Sequence, residues 1–516
     1  MAPIIDRRSF LTSSAAIALT PAIIVPASGV VQKLVRFSGP PFQLGVSSGE
    51  PSADGFVIWT RLAPRPVEGG GMPRELVEVR WEVAADETFT KVVRKGNTVA
   101  TPQLAHSVHV ELQGLESNRW YWYRFKAGSE ISPVGRTRTM PTVESKPDRL
   151  RFAFASCQHY EQGFFTAYRH MAADDLDLVI HLGDYIYEGA SSSHGVRRHP
   201  GGELESLDDY RNRYVPYQTD KNLQAAHTAF PWLVTWDDHE FDNDYANHIS
   251  EQPHVAAAAF LRRRQNACQA YYEHMPLRRR AIPRGPDLQL FHRTSFGRLA
   301  DFFVLDTRQY RTNQPNGGGL KPLEGEVFNP NATILGRRQK GWLKSGLLQS
   351  HSTWNVLAQQ VLMARVDRIP GDTDLYTMDK WAGYDVERQE MMDFFHERRI
   401  PNPIVLSGDI HTNFVNELKT DFDNPDSATV GTEFVGTSIS SGGDGSQKLD
   451  YTDDMMAENP FIKFHNAERG YVRCEVTPDE WRSDYQVVES VTRKAAPLVN
   501  RASFVVTNGE SGVKSA

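Results

Sequence analysis

The chain is expected to be a two-domain α/β protein, with a small antiparallel β domain ahead of a larger domain of alternating strands and helices. Its 516 residues exceed what one small core organises. Residues 38–143 carry short runs of strand-like alternation separated by Gly and Asn. From Leu150 onward, apolar strand-like runs instead end in oxygen-rich motifs and are separated by helical stretches.

Residues 1–30 read as an export signal and not as part of the fold. Arg7 and Arg8 precede Ser9, Phe10 and Leu11; a weakly apolar run from Ala15 to Val25 follows, and Ala27, Ser28 and Gly29 close it. The paired arginines point to the twin-arginine export machinery, which carries proteins already folded, and so to a secreted or periplasmic, cell-envelope location. Pro21 and Pro26 argue against a membrane anchor, and no later segment reaches a spanning length.

In the β domain VEVRWEV, HSVHVEL and WYWYRF are strands, and GLESNRWYWYRF (Gly114–Phe125) resembles the late strands of a fibronectin-type sandwich. PTVESKPD at 141–148 reads as a linker. In the larger domain, at 150–510, LRFAFA leads to Cys157, LDLVIHL to Gly183 and NPIVLS to Gly408. A helix over GFFTAYRHMAAD separates the first two. Residues 190–230, containing the helical LDDYRNRY, form a long insertion that serves either as a lid or as a solvated excursion. Buried strands follow at 298–306 and within 352–360, and β structure returns after Gly470.

Net charge is −7, with 57 Lys and Arg against 64 Asp and Glu, which excludes a general nucleic-acid binder. An anionic substrate must be drawn in by bound cations and local basic side chains. Cys157, Cys268 and Cys474 cannot all pair, so no disulfide framework is expected. Cys268 in a helical stretch and Cys474 in an alternating run are packing residues; Cys157 alone sits at a strand end among other donor types.

Four motifs gather the candidate chemistry: SCQ at Ser156–Gln158, GDYIY at Gly183–Tyr187, DDHE at Asp237–Glu240 and GDIH at Gly408–His411. Side chains leaving the ends of neighbouring parallel strands converge on one spot, where these donors can hold two or more metal ions. Asp184 can bridge two cations, and Tyr187 can return to the same metal. A phenol ionises only beside a strong Lewis acid, which favours ferric iron over magnesium. Asp409 and His411, two apart, lie on one side of an extended stretch. Either Asp238 or His239 could face the metals, with Asp242, Asn243 and Asp244 close behind; such crowded acids call for a cation, and hard oxygen donors suit calcium or magnesium. Cys157 adds a soft donor suited to iron; as a nucleophile it would need a phosphate-cradling loop with an Arg, which SCQHYEQ lacks. This is the layout of a metal-dependent phosphoester hydrolase.

These motifs, with LGVSSGEPSADGFVIWTRL at 44–62, FASCQHYEQG at 154–163 and EFVGTSISSG at 433–442, resemble the alkaline phosphatase D (PhoD) family of the calcineurin-like metallophosphoesterases over nearly the whole chain. The resemblance implies a four-layer α/β/β/α metallophosphoesterase domain behind the fibronectin-like β-sandwich. It implies Fe(3+) and Ca(2+) as cofactors, and hydrolysis of phosphomonoesters and phosphodiesters by a water or oxo nucleophile that the cations activate. Carried over by motif, Cys157, Asp184, Tyr187 and His411 would hold the iron. Asp184 would bridge to calcium, with Asp238, Asn243 and Asp409 on the calcium side, and Asp184, Asp238 and His239 would take part in catalysis.

Two departures from the wider superfamily stand out. The usual GNHE is DDHE here, and the usual VxxH is absent, with VLAQQ at 356–360 in its place. This leaves Asp237, His239, Gln359 and Gln360 as open contributors. The expected partners are phosphomonoester and phosphodiester substrates and the twin-arginine machinery, with no stable nucleic-acid complex, no transmembrane segment and a monomeric state. The alternatives are a dedicated phospholipid or cell-wall polymer phosphodiesterase, and an inactive exported calcium-binding module, against which the intact donor set argues.

Overall fold

The apolar runs of the sequence become central strands. The structure, a computed structural model, describes residues 36–516, so the expected export signal at 1–30 lies outside the described residues. Leu150–Ala155, Leu178–His181 and Pro231–Val234 are parallel neighbours, buried throughout except at Arg151. Burial on both faces is why they read as continuous hydrophobic runs and not as alternating ones. A second parallel set comprises Ala300–Val304, Trp354–Ala358, Pro403–Ser407 and Thr429–Val435.

The 15-residue strand Ile462–Val476 joins the two sheets. Its first part pairs with Asn413–Lys419, its second with Leu150–Ala155 and Glu480–Val488. Phe152, Ile180, Leu233, Phe302, Val356, Leu406 and Phe434 fill the space between the sheets. Phe152 meets Phe302 edge-on, with centroids 5.4 Å apart. Each such buried side chain contributes about 1.5–3 kcal/mol. Thr166–Met171, Leu207–Gln218, Lys221–Ala229 and Ala257–His274 cover the outer face of the first sheet. Gly336–Leu348 and Asp385–Glu397 cover that of the second. The result is four layers, α/β/β/α.

The N-terminal region is a β-sandwich. Val77–Ala84, Val92–Ala100, Trp120–Ala127, Glu130–Ile131 and Gly135–Arg138 form one antiparallel sheet. Val46–Ser52, Gly55–Arg61 and Ser107–Glu111 form the other, and Phe56 meets Tyr121 between them, with centroids 5.9 Å apart. This second sheet continues into the larger domain, because Val46–Ser52 pairs in parallel with Pro231–Val234. Residues 37–516 accordingly form one compact unit. Alternation revealed the strands but not this junction, since backbone hydrogen bonds between strands leave no mark in side-chain type.

The insertion at 190–230 divides in two. Residues 190–203 are irregular and largely exposed, as a lid or excursion would be. The rest is neither: Leu207–Gln218 and Lys221–Ala229 are helices that place Tyr210, Tyr214, Tyr217 and Leu223 in the outer core. Ser206 and Asp209 form a capping box at the first helix, and Asp220 caps the second. Glu161 tethers the exposed part, accepting from Ser191 Oγ, Ser192 N and His199 N. Cys157, Cys268 and Cys474 are all buried and unpaired. Among the described residues, no helix is long and apolar enough to cross a membrane.

Candidate metal centre

SCQ, GDYIY and GDIH each emerge where a parallel strand ends, and DDHE follows Pro231–Val234 in the same way. The backbone there is unusual. Cys157, Asp184, Asp409 and His411 have φ of 57°, 57°, 65° and 59°. A left-handed conformation costs a non-glycine residue about 1–2 kcal/mol, and such strain clusters at functional sites. Gly183, at φ 115°, lets the chain pass so close to the next motif that a Cβ would stand 2.5 Å from that of Asp237. Gly408 approaches Ser156 Oγ with the same intolerance of a side chain.

Three donor groups overlap across the strand ends: Cys157, Asp184 and His411; Asp184, Asp238 and His239; Asp237, Asp238 and Asp409. Within each, the donor atoms lie within 4.8 Å of one another. Tyr187 joins the first group, its oxygen 2.9 Å from Asp184 Oδ2 and 3.3 Å from His411 Nε2. Asn243 stands at the margin: its backbone N–H donates to Glu188, and Glu188 in turn holds His239 Nδ1 at 2.7 Å.

Other expected contributors have different work. Asp242 is bound by Arg263 and Ser250. Asp244 donates its N–H to Asp238 Oδ2. Gln360 accepts from Thr307 and donates to Thr235 Oγ1 and the Leu305 carbonyl. Gln359 accepts from Trp381 Nε1 and donates to Ser407 Oγ. Both glutamines are fully buried and spent on the scaffold. Glu240 ties two motifs together, accepting from the N–H groups of Asp184, Tyr185 and Asp237.

Sequence reading missed the cations that balance this acid. Arg308, fully buried, donates to Asp237, to Asp379 at 2.8 Å and to Asp409 at 3.3 Å. Lys380 pairs with Asp409 and Asp379, and Arg311 with Asp379 at 2.6 Å. These residues lie outside the four motifs and follow no spacing rule; their one signal is that so many buried acids require compensation.

Burial, followed by the neighbouring acids, pushes the carboxyl groups of Asp184 and Asp237 well above the usual range. Burial, then Asp184, does the same to the Cys157 thiol and the Tyr187 phenol. His411 is held down to about 3 by burial and then by Arg469. Asp184 Oδ1 and Asp238 Oδ1 are buried with no hydrogen-bond partner. An unpartnered buried oxygen costs about 1–3 kcal/mol, more for a charged group. Cations supply the missing partner and favour the ionised donors, so these residues fit bound metal.

Two packed sheets between helical layers, with this donor cluster across their strand ends, define a phosphoester hydrolase of the calcineurin-like class. The models of the PhoD-like phosphatase N-terminal domain and of the PhoD-like phosphatase match residues 29–141 and 152–485. The chain belongs to the PhoD-like phosphatase family. It is 50% identical over 518 residues to alkaline phosphatase D of Bacillus subtilis (strain 168), covering 99% of this chain and 89% of that protein. It also matches the solved structure of PhoD with a TM-score of 0.91 at 51% identity, over 93% of each chain.

Proposed function

We propose that the protein is an exported, metal-dependent phosphomonoesterase and phosphodiesterase. The observation that carries the reading is the sharing of Asp184 between the Cys157–His411 group and the Asp238–His239 group. One carboxylate with donors on both sides is the arrangement a bridged metal cluster needs. Cys157, Asp184, Tyr187 and His411 mix soft and anionic donors suited to ferric iron. Asp184, Asp238, Asn243 and Asp409 offer the hard oxygens that suit calcium. When bound, such cations neutralise phosphate oxygens and supply an activated water for in-line attack.

The chain's own residues prepare the rest. Glu188 holds His239 by Nδ1, leaving Nε2 for the Asp184–Asp238 side. Burial lowers the His239 pKa, but Glu188, Asp184 and Asp238 outweigh it and hold the imidazole well above its usual value. With Nδ1 held by Glu188, His239 turns Nε2 toward this side as the position from which a proton could pass to a leaving alkoxide. Arg308 spends its donors on Asp237, Asp379 and Asp409 and acts as an internal counter-ion. Arg7 and Arg8 support export of the folded enzyme by the twin-arginine route.

The test is hydrolysis of p-nitrophenyl phosphate and its bis-ester before and after calcium chelation. Turnover that chelation abolishes and calcium restores is expected, and the ratio of the two rates ranks monoester against diester. No turnover on either ester at full metal loading would sink the broad-specificity reading.

A further inference from the structure

The segment EFVGTSISSG has no part in the chemistry described so far, yet it touches three of the four motifs. The Gly436 N–H donates to the Ser407 carbonyl, 2.9 Å away, just before GDIH. Thr437 Oγ1 reaches the His411 carbonyl at 3.1 Å. Ser438 bridges to Ser156, and the Ile439 N–H donates to the Ser156 carbonyl at 3.0 Å. Thr437, Ser438, Ser440 and Ser441 are all buried, the three serines fully.

Ser441 has the most specific surroundings. Its Oγ accepts from the His159 N–H at 3.1 Å and lies 2.8 Å from the Cys157 carbonyl and 2.7 Å from the Tyr187 oxygen. A serine hydroxyl has one proton to give. Both the Cys157 carbonyl and the Tyr187 oxygen are within reach of it; the carbonyl also accepts from the N–H groups of Ser440 and Ser441, at 3.4 and 3.3 Å, so the hydroxyl proton can turn to Tyr187, the shorter of its two contacts. One side chain thus binds the backbone two residues beyond the thiol, the thiol's own backbone and the phenolic oxygen.

We propose that Ser441 is a positioning residue for the Cys157–Tyr187 half of the centre: its hydroxyl donates to the Tyr187 oxygen while its contacts with Cys157 and His159 hold the thiol-bearing turn at a set distance from the phenol. The inference rests on the proposed assignment of Cys157 and Tyr187 as iron ligands. Partners that orient a ligand from behind typically change metal affinity 10- to 100-fold when removed.

The full-length protein and its Ser441→Ala, Ser441→Thr, Cys157→Ser and Tyr187→Phe variants are loaded with ferric iron and calcium. Each is dialysed against a chelator, then assayed for both metals by elemental analysis and for visible absorption. The wild type is expected to show a phenolate-to-iron band that Tyr187→Phe abolishes. Ser441→Ala keeps a band, but at longer wavelength, because the phenolate loses a hydrogen bond. It also retains iron roughly 10- to 100-fold less well, with calcium retention within about twofold; Ser441→Thr restores both.

An unchanged band and unchanged iron retention in Ser441→Ala, alongside loss in Cys157→Ser and Tyr187→Phe, overturns the inference and leaves the metal assignment standing. A wild type that neither retains iron nor shows the band overturns both. Should Ser441→Ala fail to fold, Ser441→Cys, which keeps the size but has a weak donor, is held to the same outcomes.

Discussion

The phenolic oxygen of Tyr187 lies 2.9 Å from Asp184 Oδ2, three residues back along the same turn. The pair would bind one cation together, while Asp184 alone also faces Asp238 and His239. Asp184→Ala is expected to lose both classes of metal and several kcal/mol of transition-state stabilisation, on the order of a thousandfold or more in turnover. Near-normal kcat with normal metal content would remove Asp184 from the centre.

Glu188→Gln tests the orientation of His239. Losing the carboxylate lowers the His239 pKa, and activity that needs protonated His239 disappears as pH rises through that pKa. The basic limb of the kcat/KM–pH profile should therefore move toward neutral pH, with kcat reduced about 10- to 100-fold. A profile that keeps its basic limb would mean that His239 does not hold the catalytic proton.

Gly183→Ala brings a Cβ to 2.5 Å from Asp237 Cβ and 2.6 Å from its N, at a φ of 115°. Overpacking and backbone strain together should cost roughly 2–5 kcal/mol, read as a lower urea midpoint and lost activity. A variant as stable as the wild type would refute this close approach of the two motifs.

Arg308→Met removes the buried partner of Asp237, Asp379 and Asp409. Breaking a buried ion pair on one side costs about 3–5 kcal/mol. The variant should melt at lower temperature and regain part of the loss when calcium is added, since another cation can neutralise the same acids. A melting temperature equal to that of the wild type, unresponsive to calcium, would contradict the counter-ion role.

His181 and His227 both stack on Trp232, with centroids 6.1 Å and 3.9 Å away. Burial lowers both imidazoles from 6.5 to about 3. Between those values the unfolded chain takes up protons that the native state refuses. Stability is therefore complete above pH 6.5 and falls with pH by up to about 1.4 kcal/mol per unit for each histidine. Urea midpoints at pH 7.5 and 5 should show the drop, and His227→Gln should flatten it; an equal slope in the variant would exclude His227 as a source.

The candidate donors were legible because each follows a strand whose burial makes it continuously apolar: LRFAFA, LDLVIHL and NPIVLS all place a donor type within a few residues of the strand's end. The supporting groups were not. Arg308, Lys380 and Asp379 come from connecting segments with no periodic pattern, and Ser441 is one serine among several in its stretch. Gln359 and Gln360 are open contributors in the sequence, and only their hydrogen bonds to Thr307, Trp381 and Ser407 reveal that they brace the scaffold.

The amino-acid order alone determined the sandwich, the strand–helix alternation and the types of donor atom, because burial on one face or two leaves a periodic trace in side-chain polarity. Tertiary structure decided which candidate donors lie close enough to share a cation, how the first sandwich sheet runs into the larger domain through Val46–Ser52 and Pro231–Val234, and where Arg308 and Ser441 stand. Those relationships depend on backbone pairing and on distances across residues far apart in the chain, and neither is encoded in local residue type.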